Sequence, residues 1–271
     1  MLLNSILLIG ASITFVHGRV IQRDVPCSPE NMPVNVGLTT CTKKFPLDSA
    51  GHCISAIPSL AIDPSACTGY CEQKLTLNYG QEVPFANSHC SGVGNGAGNT
   101  TCTLQQSQSV TVTNTVGISA GGTIGGSIDD LEAAFNLGAT WSWSKAVGYE
   151  TTASQAASIS SGMCGYWTFI PYLMVSCGTL TNIPAQSLGK GTYLCDTKSV
   201  TSLKNTINWC NTTPQKDANG HAGGKVVFVF TDCKTNNLLP MAVQDPAYAF
   251  PGVSTGQLAQ VDNPDTKQSG P

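Results

Sequence analysis

The sequence contains few charged residues, and this scarcity excludes one class of partner. Charged residues make up 11% of the 271 residues and the formal net charge is −3, whereas an average soluble protein is about 25% charged. No basic cluster exceeds the pair Lys43 and Lys44. Because a nucleic-acid interface needs a clustered positive charge, we exclude nucleic acid as a partner.

Residues that carry catalysis or bind metal ions are scarce as well. Beyond the N-terminal segment, the chain has only His52, His89 and His221, and none forms the closely spaced pair that is typical of a metal site. An even number of cysteines favours disulfides over a free nucleophilic thiol. We therefore predict that the protein is not an enzyme, with no catalytic residue, no cofactor and no metal ion.

The first 18 residues are typical of a signal peptide. They form an apolar run, MLLNSILLIGASITFVHG, in which Val16 and Gly18 suit positions −3 and −1 of a cleavage site. The run is short for a membrane span. We therefore predict a secreted, extracellular protein whose mature chain of about 253 residues begins after Gly18.

The cysteine count predicts a body that is stapled by disulfides. Seven cysteines precede a cysteine-free segment of 61 residues, Thr103 to Met163, and five follow it. Because both counts are odd, complete pairing within one molecule requires at least one bridge between the two flanks. The predicted disulfide residues are Cys27, Cys41, Cys53, Cys67, Cys71, Cys90, Cys102, Cys164, Cys177, Cys195, Cys210 and Cys233.

Within the cysteine-free segment, apolar residues alternate with small polar ones. The run from Ser109 to Ile128 has Ser, Thr or Gly at every odd position, and a second alternating run extends from Phe135 to Tyr149. A period of two predicts strands, while DDLEAA between them forms a short acidic tip with helix propensity. The predicted apolar face of this long hairpin comprises Val110, Val112, Val116, Ile118, Ile124, Ile128, Phe135, Leu137, Trp141, Trp143, Val147 and Tyr149.

Together these patterns predict an all-β fold: an elongated, disulfide-stapled, β-sandwich-like body with a long Ser/Thr/Gly-rich amphipathic β-hairpin. Further strands are expected at 74–78, 164–178 and 225–231, with a bulge or edge position at Pro171 and a helix or strand at 198–209. The expected organisation is a signal peptide (1–18), a cysteine-rich part (19–102), the hairpin (103–163), the C-terminal part of the body (164–250) and a disordered tail (251–271).

Two sequons predict N-linked glycans. Asn99 and Asn211 are each followed by Thr-Thr and lie in polar stretches next to a cysteine. In a secreted protein such sites are commonly occupied, so we predict a glycoprotein that carries glycans at both positions.

The alternating segment resembles the stem of aerolysin-like β-pore-forming proteins. The resemblance rests on VTVTNTVGISAGGTIGG and on the returning LGATWSWSKAVGYETT. The combination of alternating Trp residues, the stretch CGYWTFIPY and scattered cysteines also resembles uncharacterised cysteine-rich secreted proteins of filamentous fungi. The first resemblance implies a membrane surface and a homo-oligomer as partners, because one hairpin cannot close a barrel.

Two functions are therefore expected from the sequence. The first is a secreted membrane-active protein of the pore-forming kind, whose acidic tip (Asp129, Asp130 and Glu132) would favour insertion at acidic pH. The alternative is a non-catalytic secreted or cell-wall-associated binding protein or host-interacting effector, which binds a polysaccharide or a host protein. In that case the hairpin would be a static ribbon along the body.

Overall fold

The computed structural model describes residue 34 and residues 44–62, 67–92, 99–113, 128–139, 141, 143–197 and 203–255. Strands predominate throughout these ranges. They are β1 (Leu60–Ala61), β2 (Thr68–Tyr79), β3 (Val83–Pro84), β4 (Cys90–Ser91), β5 (Thr100–Leu104), β6 (Ser109–Thr113), β7 (Ala146–Glu150), β8 (Gln155–Ile159), β9 (Met163–Asn182), β10 (Ala185–Gly189), β11 (Thr192–Cys195), β12 (Lys204–Pro214) and β13 (Gly224–Asp232). One α-helix, α1 (Ile128–Gly138), interrupts them.

Strand β9 is the central strand of the largest sheet and has 20 residues. Its first half pairs antiparallel with β13 and with the short strands β3 and β4, and its second half pairs with β2 and β12. Most of its side chains are buried, as the run of apolar residues from Cys164 to Gly178 predicts. The predicted strands at 74–78 and 225–231 lie within β2 and β13.

Pro171 lies where the partners of β9 change. Its register partner is Gly224, the first residue of β13, while β2 ends opposite Tyr172 and β12 ends opposite Leu173. The register shifts of this sheet fall elsewhere, between Glu72 and Lys74 and between Thr206 and Trp209. Pro171 therefore marks a junction between partner strands rather than the bulge or edge position that was predicted.

Three smaller antiparallel sheets complete the architecture of the described ranges. They consist of β1, β11 and β10, of β5 with β8, and of β6 with β7. The predicted all-β, disulfide-stapled fold is confirmed. The ambiguous segment at 198–209 is strand from Lys204 onward, and residues 198–202 lie outside the described ranges.

The packed chain extends further than the predicted body boundary at residue 250. Val253 is fully buried beside Tyr166 and Tyr248, and the backbone N–H of Thr255 donates to the Glu82 carboxylate at 3.1 Å. The prediction of a disordered tail from Pro251 is therefore wrong for residues 251–255, and residues 256–271 lie outside the described ranges.

Ten of the twelve cysteines form five disulfides in the described ranges. The pairs are Cys53–Cys71, Cys67–Cys195, Cys90–Cys102, Cys164–Cys233 and Cys177–Cys210, while Cys27 and Cys41 fall outside those ranges. The bridge between Cys67 and Cys195 joins the two flanks of the cysteine-free segment, as the parity of the counts requires. Disulfides of this number are compatible with an extracellular protein.

The long-range bridge is expected to contribute more stability than the local one. Cys67–Cys195 spans 128 positions and Cys90–Cys102 spans 12, so the chain-entropy relation gives about 5 and about 3 kcal/mol respectively. Chemical denaturation of the two paired Cys→Ala variants measures the difference. The expectation is contradicted if removing Cys90–Cys102 lowers the free energy of unfolding as much as, or more than, removing Cys67–Cys195.

Candidate functional site: the amphipathic ribbon and its seat

The sheets β5–β8 and β6–β7 follow one another to form a single two-stranded ribbon, which we define as residues 100–113 and 146–159. The join is made by Thr151, whose N–H donates to the carbonyl of Gln108 at 2.9 Å and whose carbonyl accepts from Ser107 N–H at 2.9 Å. Ser107 has a φ of 64°, which redirects the first strand at this point. The buried Thr151 hydroxyl donates to the carbonyl of Gln105 at 3.0 Å.

The ribbon has one buried apolar face and one exposed polar face at its distal end. Val110, Val112 and Val147 are buried. Thr111, between the two valines of β6, and Gly148, which follows Val147 in β7, are exposed. The cross-strand register pairs Val112 with Val147 and Thr111 with Gly148. The predicted period of two is therefore correct for residues 109–113 and 146–150.

The apolar face packs on an aromatic surface of the body, which we call the seat: Phe85, Trp167, Phe169 and Phe228. The ring of Tyr149 stacks on Phe169 with a centroid distance of 4.0 Å. On the outer edge of the ribbon, the carbonyl of Gly148 accepts a hydrogen bond from Ala222 N–H at 2.8 Å. The ribbon is thus held mainly by contacts between apolar side chains, with this backbone hydrogen bond at its edge.

Helix α1 lies in the connection between the two distal strands and packs on a second aromatic cluster. Phe135 is fully buried against Tyr70 and Trp209, with ring centroids 5.2 and 6.0 Å apart. Ala139 and Trp143 belong to the same cluster. Burial raises the pKa of Tyr70 well above its ordinary value, so its hydroxyl stays protonated and lies 2.9 Å from Ser176 Oγ.

Gly138 sets how closely α1 approaches β2. A Cβ placed on Gly138 would lie 1.7 Å from the carbonyl oxygen of Tyr70, a distance that no side chain can occupy. A Cβ on Gly148, in the ribbon, would meet no atom within 4 Å. Only glycine therefore allows the helix to lie this close to the sheet.

The predicted strand from Phe135 to Tyr149 is wrong over its first part. Residues up to Gly138 are helical, and strand begins only at Ala146. Phe135, Ala139 and Trp143 recur every four residues, which satisfies both a period of two and one face of a helix. Leu137, predicted on the same face as Phe135, is 43% exposed on the other side of the helix.

The remaining predicted hairpin residues are distributed as follows. Trp141 is half-buried and packs against Leu75, Leu77 and Met174. Val116, Ile118 and Ile124 lie outside the described ranges, as does the side chain of Ile128. The three acidic residues of the predicted tip, Asp129, Asp130 and Glu132, lie in the first turns of α1.

Disulfides flank the segment that contains β6, α1 and β7 on both sides. Cys102 in β5 is bonded to Cys90, and Cys164 at the start of β9 is bonded to Cys233. No cysteine lies between them. Strands β6 and β7 and helix α1 are therefore retained on the body by non-covalent contacts alone.

Two buried carboxylates were not identified from the sequence. Glu82 accepts from the hydroxyls of Tyr248 at 2.8 Å and Tyr166 at 3.1 Å, and Glu72 accepts from Ser176 Oγ. Burial raises the pKa of both Tyr166 and Tyr248, so they remain donors. No periodic or motif signal marks Glu82 or Glu72, because their partners come from distant strands.

The three histidines outside the N-terminal segment have different surroundings in the described part of the chain. His52 Nδ1 lies 2.7 Å from Asn205 Nδ2, His221 lies 4.0 Å from Asp217, and His89 is exposed. The described residues contain no group of three or more metal-ligating side chains. Residues 117–121, GISAG, fit the GxSxG pattern of hydrolases, but they lie outside the described ranges.

Comparison of the chain with protein-family models, with curated proteins and with solved structures found no match. Among the described residues, no helix is long and apolar enough to cross a membrane. What the fold and the site define is an all-β, disulfide-stapled protein with an amphipathic ribbon, which the Cys90–Cys102 disulfide anchors at one end and which apolar contacts hold along β6 and β7.

The two predicted glycosylation sites differ in accessibility. Asn99 is exposed, whereas Asn211 lies in β12 and is 1% exposed, with its Nδ2 atom buried. A glycan is attached through that nitrogen, so a sugar chain there would require the Asn211 side chain to leave its buried position. The prediction of a glycan at Asn211 is therefore incompatible with this fold.

We expect glycosylation at Asn99 alone when the protein is secreted from a eukaryotic host. Intact mass before and after glycosidase treatment should show one glycan, and Asn99→Gln should abolish it. Peptide mapping that finds Asn211 occupied in folded, secreted protein would contradict the described packing of β12.

Proposed function

We propose that the protein is a secreted, non-enzymatic, membrane-active protein of the pore-forming kind, and that the ribbon is its inserting element. The observation that carries the proposal is the ribbon itself: an amphipathic two-stranded element that has no disulfide beyond Cys102 and whose apolar face is packed against the body. In a membrane the same face would contact lipid and the Ser/Thr face would line the lumen.

The length of the ribbon supports this proposal. A transmembrane β-strand needs about 9–11 residues. Beyond the anchored Cys102, the first arm of the ribbon comprises residues 103–113, and the second arm comprises residues 146–159. Both arms therefore reach the required number of residues without those between 113 and 146, although 105–108 and 151–154 at the join would have to become strand on insertion.

Insertion also requires that α1 leave the body, because it lies in the connection between the two arms. Release would uncover Phe135 and Trp143, whose spacing also suits a strand face. The distal arms could then extend beyond Thr113 and before Ala146. Each inserted ribbon has two strand edges whose backbone groups lack a hydrogen-bonded neighbour. Ribbons from several copies must therefore associate side by side to close a barrel.

A binding role is the second candidate, and one observation favours it. Val112, Val147 and Phe135 are all nearly or fully buried in the described conformation, so the ribbon can equally be a permanent part of the body. The protein would then act through its exposed surface as a binding protein or effector.

The variant Gly138→Ala tests whether α1 restrains a membrane activity. The new methyl group cannot coexist with the Tyr70 carbonyl, so the helix should detach at a cost of about 1–3 kcal/mol in folding stability. We expect Gly138→Ala to release dye from lipid vesicles several-fold faster than the wild type, and to form detergent-resistant oligomers sooner.

Gly148→Ala is the matched control, since its methyl group meets open space and should leave both stability and dye release unchanged. If wild type and Gly138→Ala both fail to release dye while remaining monomeric on vesicles, the pore-forming proposal is wrong. Release that Ser119→Ala abolishes would instead indicate a hydrolase.

Dye release should also be faster at pH 5 than at pH 7. Asp129, Asp130 and Glu132 lie in the connection that must cross the bilayer, where each charged carboxylate costs about 2.5–3.5 kcal/mol at the centre. Protonation removes that cost, so release should be faster at the lower pH.

The matched variant Asp129→Asn/Asp130→Asn/Glu132→Gln should release dye at the same high rate at both pH values. Equal rates for the wild type at pH 5 and pH 7 would show that the acidic residues do not limit insertion.

A further inference from the structure

The small sheet β1–β11–β10 has an apolar outer face as well as an apolar inner face. On the inner side, Ala61 and Cys195 are buried with Ile57, Cys67 and Ile183. On the outer side, Leu60 pairs with Leu194 and Leu194 with Gln186, so these side chains share one face. Leu188 lies between Ser187 and Gly189, where the register of β10 shifts, and Ile62 follows β1.

The outer residues are among the most exposed large aliphatic side chains of the described chain. Leu60 is 54%, Ile62 89% and Leu188 56% exposed, while Leu194 is half-buried between the two outer strands. We define these four residues as the aliphatic patch. Because the Cys67–Cys195 disulfide anchors the inner face, the patch is presented on a covalently fixed support.

The composition of the patch favours lipid over protein as its partner. Protein interfaces depend on Trp, Tyr and Arg at their energetic centres, and Leu is under-represented there. The patch contains only Leu and Ile. A bulge between Ser187 and Gly189 and an exposed Lys190 at the adjoining turn also protect the edge of β10 from pairing with a second copy.

One lysine stands beside the patch. Lys190 is the one charged residue within 60–62 and 185–195, and Asp63 and Asp196 directly follow these two segments in the sequence. Lys190 lies between Gly189 and Gly191, all three with positive φ, at the tip of the β10–β11 turn. A lysine beside protruding aliphatic side chains can reach lipid phosphates while the aliphatic groups enter the interface.

We infer that this patch docks the protein on an anionic lipid bilayer before the ribbon is released. The inference rests on the proposed membrane function and adds the surface of first contact. Insertion of Ile62 and Leu188 to the depth of the headgroups removes their apolar area from water, and Lys190 fixes the patch at the headgroup level.

Co-sedimentation with sucrose-loaded vesicles tests the inference, using the full mature protein and vesicles of phosphatidylcholine with or without 30% phosphatidylserine. We expect Ile62→Ser/Leu188→Ser to lower the partition coefficient at least tenfold. Lys190→Glu should lower it several-fold on the anionic vesicles and leave binding to pure phosphatidylcholine nearly unchanged. Thermal unfolding of each variant should match that of the wild type, since these side chains lie at the surface.

Ile207→Ser is the matched control, because Ile207 is 69% exposed on β12 in a different sheet, and its binding should stay within twofold of the wild type. The inference is overturned if the wild type does not sediment with either kind of vesicle, or if Ile62→Ser/Leu188→Ser binds vesicles as well as the wild type. It is also overturned if Ile207→Ser loses as much vesicle binding as the patch variant does. A patch variant that loses self-association but keeps vesicle binding would overturn it in favour of a contact between copies.

Dye release measured on the same samples separates the two proposals. If Ile62→Ser/Leu188→Ser releases dye and binds vesicles as well as the wild type, the docking role of the aliphatic patch is refuted, and the proposal that the ribbon inserts is unaffected. Patch-dependent binding without release by any variant supports docking and refutes pore formation.

Discussion

Pairing along β9 is the constraint on which the rest of the structure depends. Its 20 residues exchange backbone hydrogen bonds with five other strands, and most of its side chains are buried. A polar backbone can be buried at this length only when both edges are paired. The partner change at Pro171 therefore lets one strand support two half-sheets, and these half-sheets supply the aromatic residues that hold the ribbon and α1.

The body and the ribbon are stabilised by different physical means. Disulfides and the buried carboxylates Glu72 and Glu82 fasten the body, and Glu82 ties residues 248–255 to Tyr166 of β9 through hydroxyl and amide donors. The distal ribbon and α1 are held by aromatic and aliphatic contacts. Apolar contacts of this kind are non-directional, and no disulfide ties β6, β7 or α1 to the body.

The site shows how one pattern can satisfy two structures. Around Val110, Val112 and Val147 the period of two is unambiguous, and the structure forms the predicted strands. Around Phe135 and Ala139 the spacing of four fits a strand and a helix alike. The helix is formed there because Phe135 is buried against Tyr70 and Trp209, and because Gly138 permits close approach to a backbone carbonyl. Neither partner is near α1 in the sequence.

The sequence by itself determined the all-β class, the stapling by disulfides, the need for a bridge between the two flanks, and the strands at 74–78, 164–178 and 225–231. These features follow from local alternation, apolar runs and cysteine parity. Only the tertiary structure decided the cysteine pairing, the helix at 128–138, the burial of Asn211, the seat of the ribbon and the hydrogen bonds that Glu82 accepts. Each of these depends on which strands lie side by side, and strand order arises from long-range pairing that no local pattern encodes.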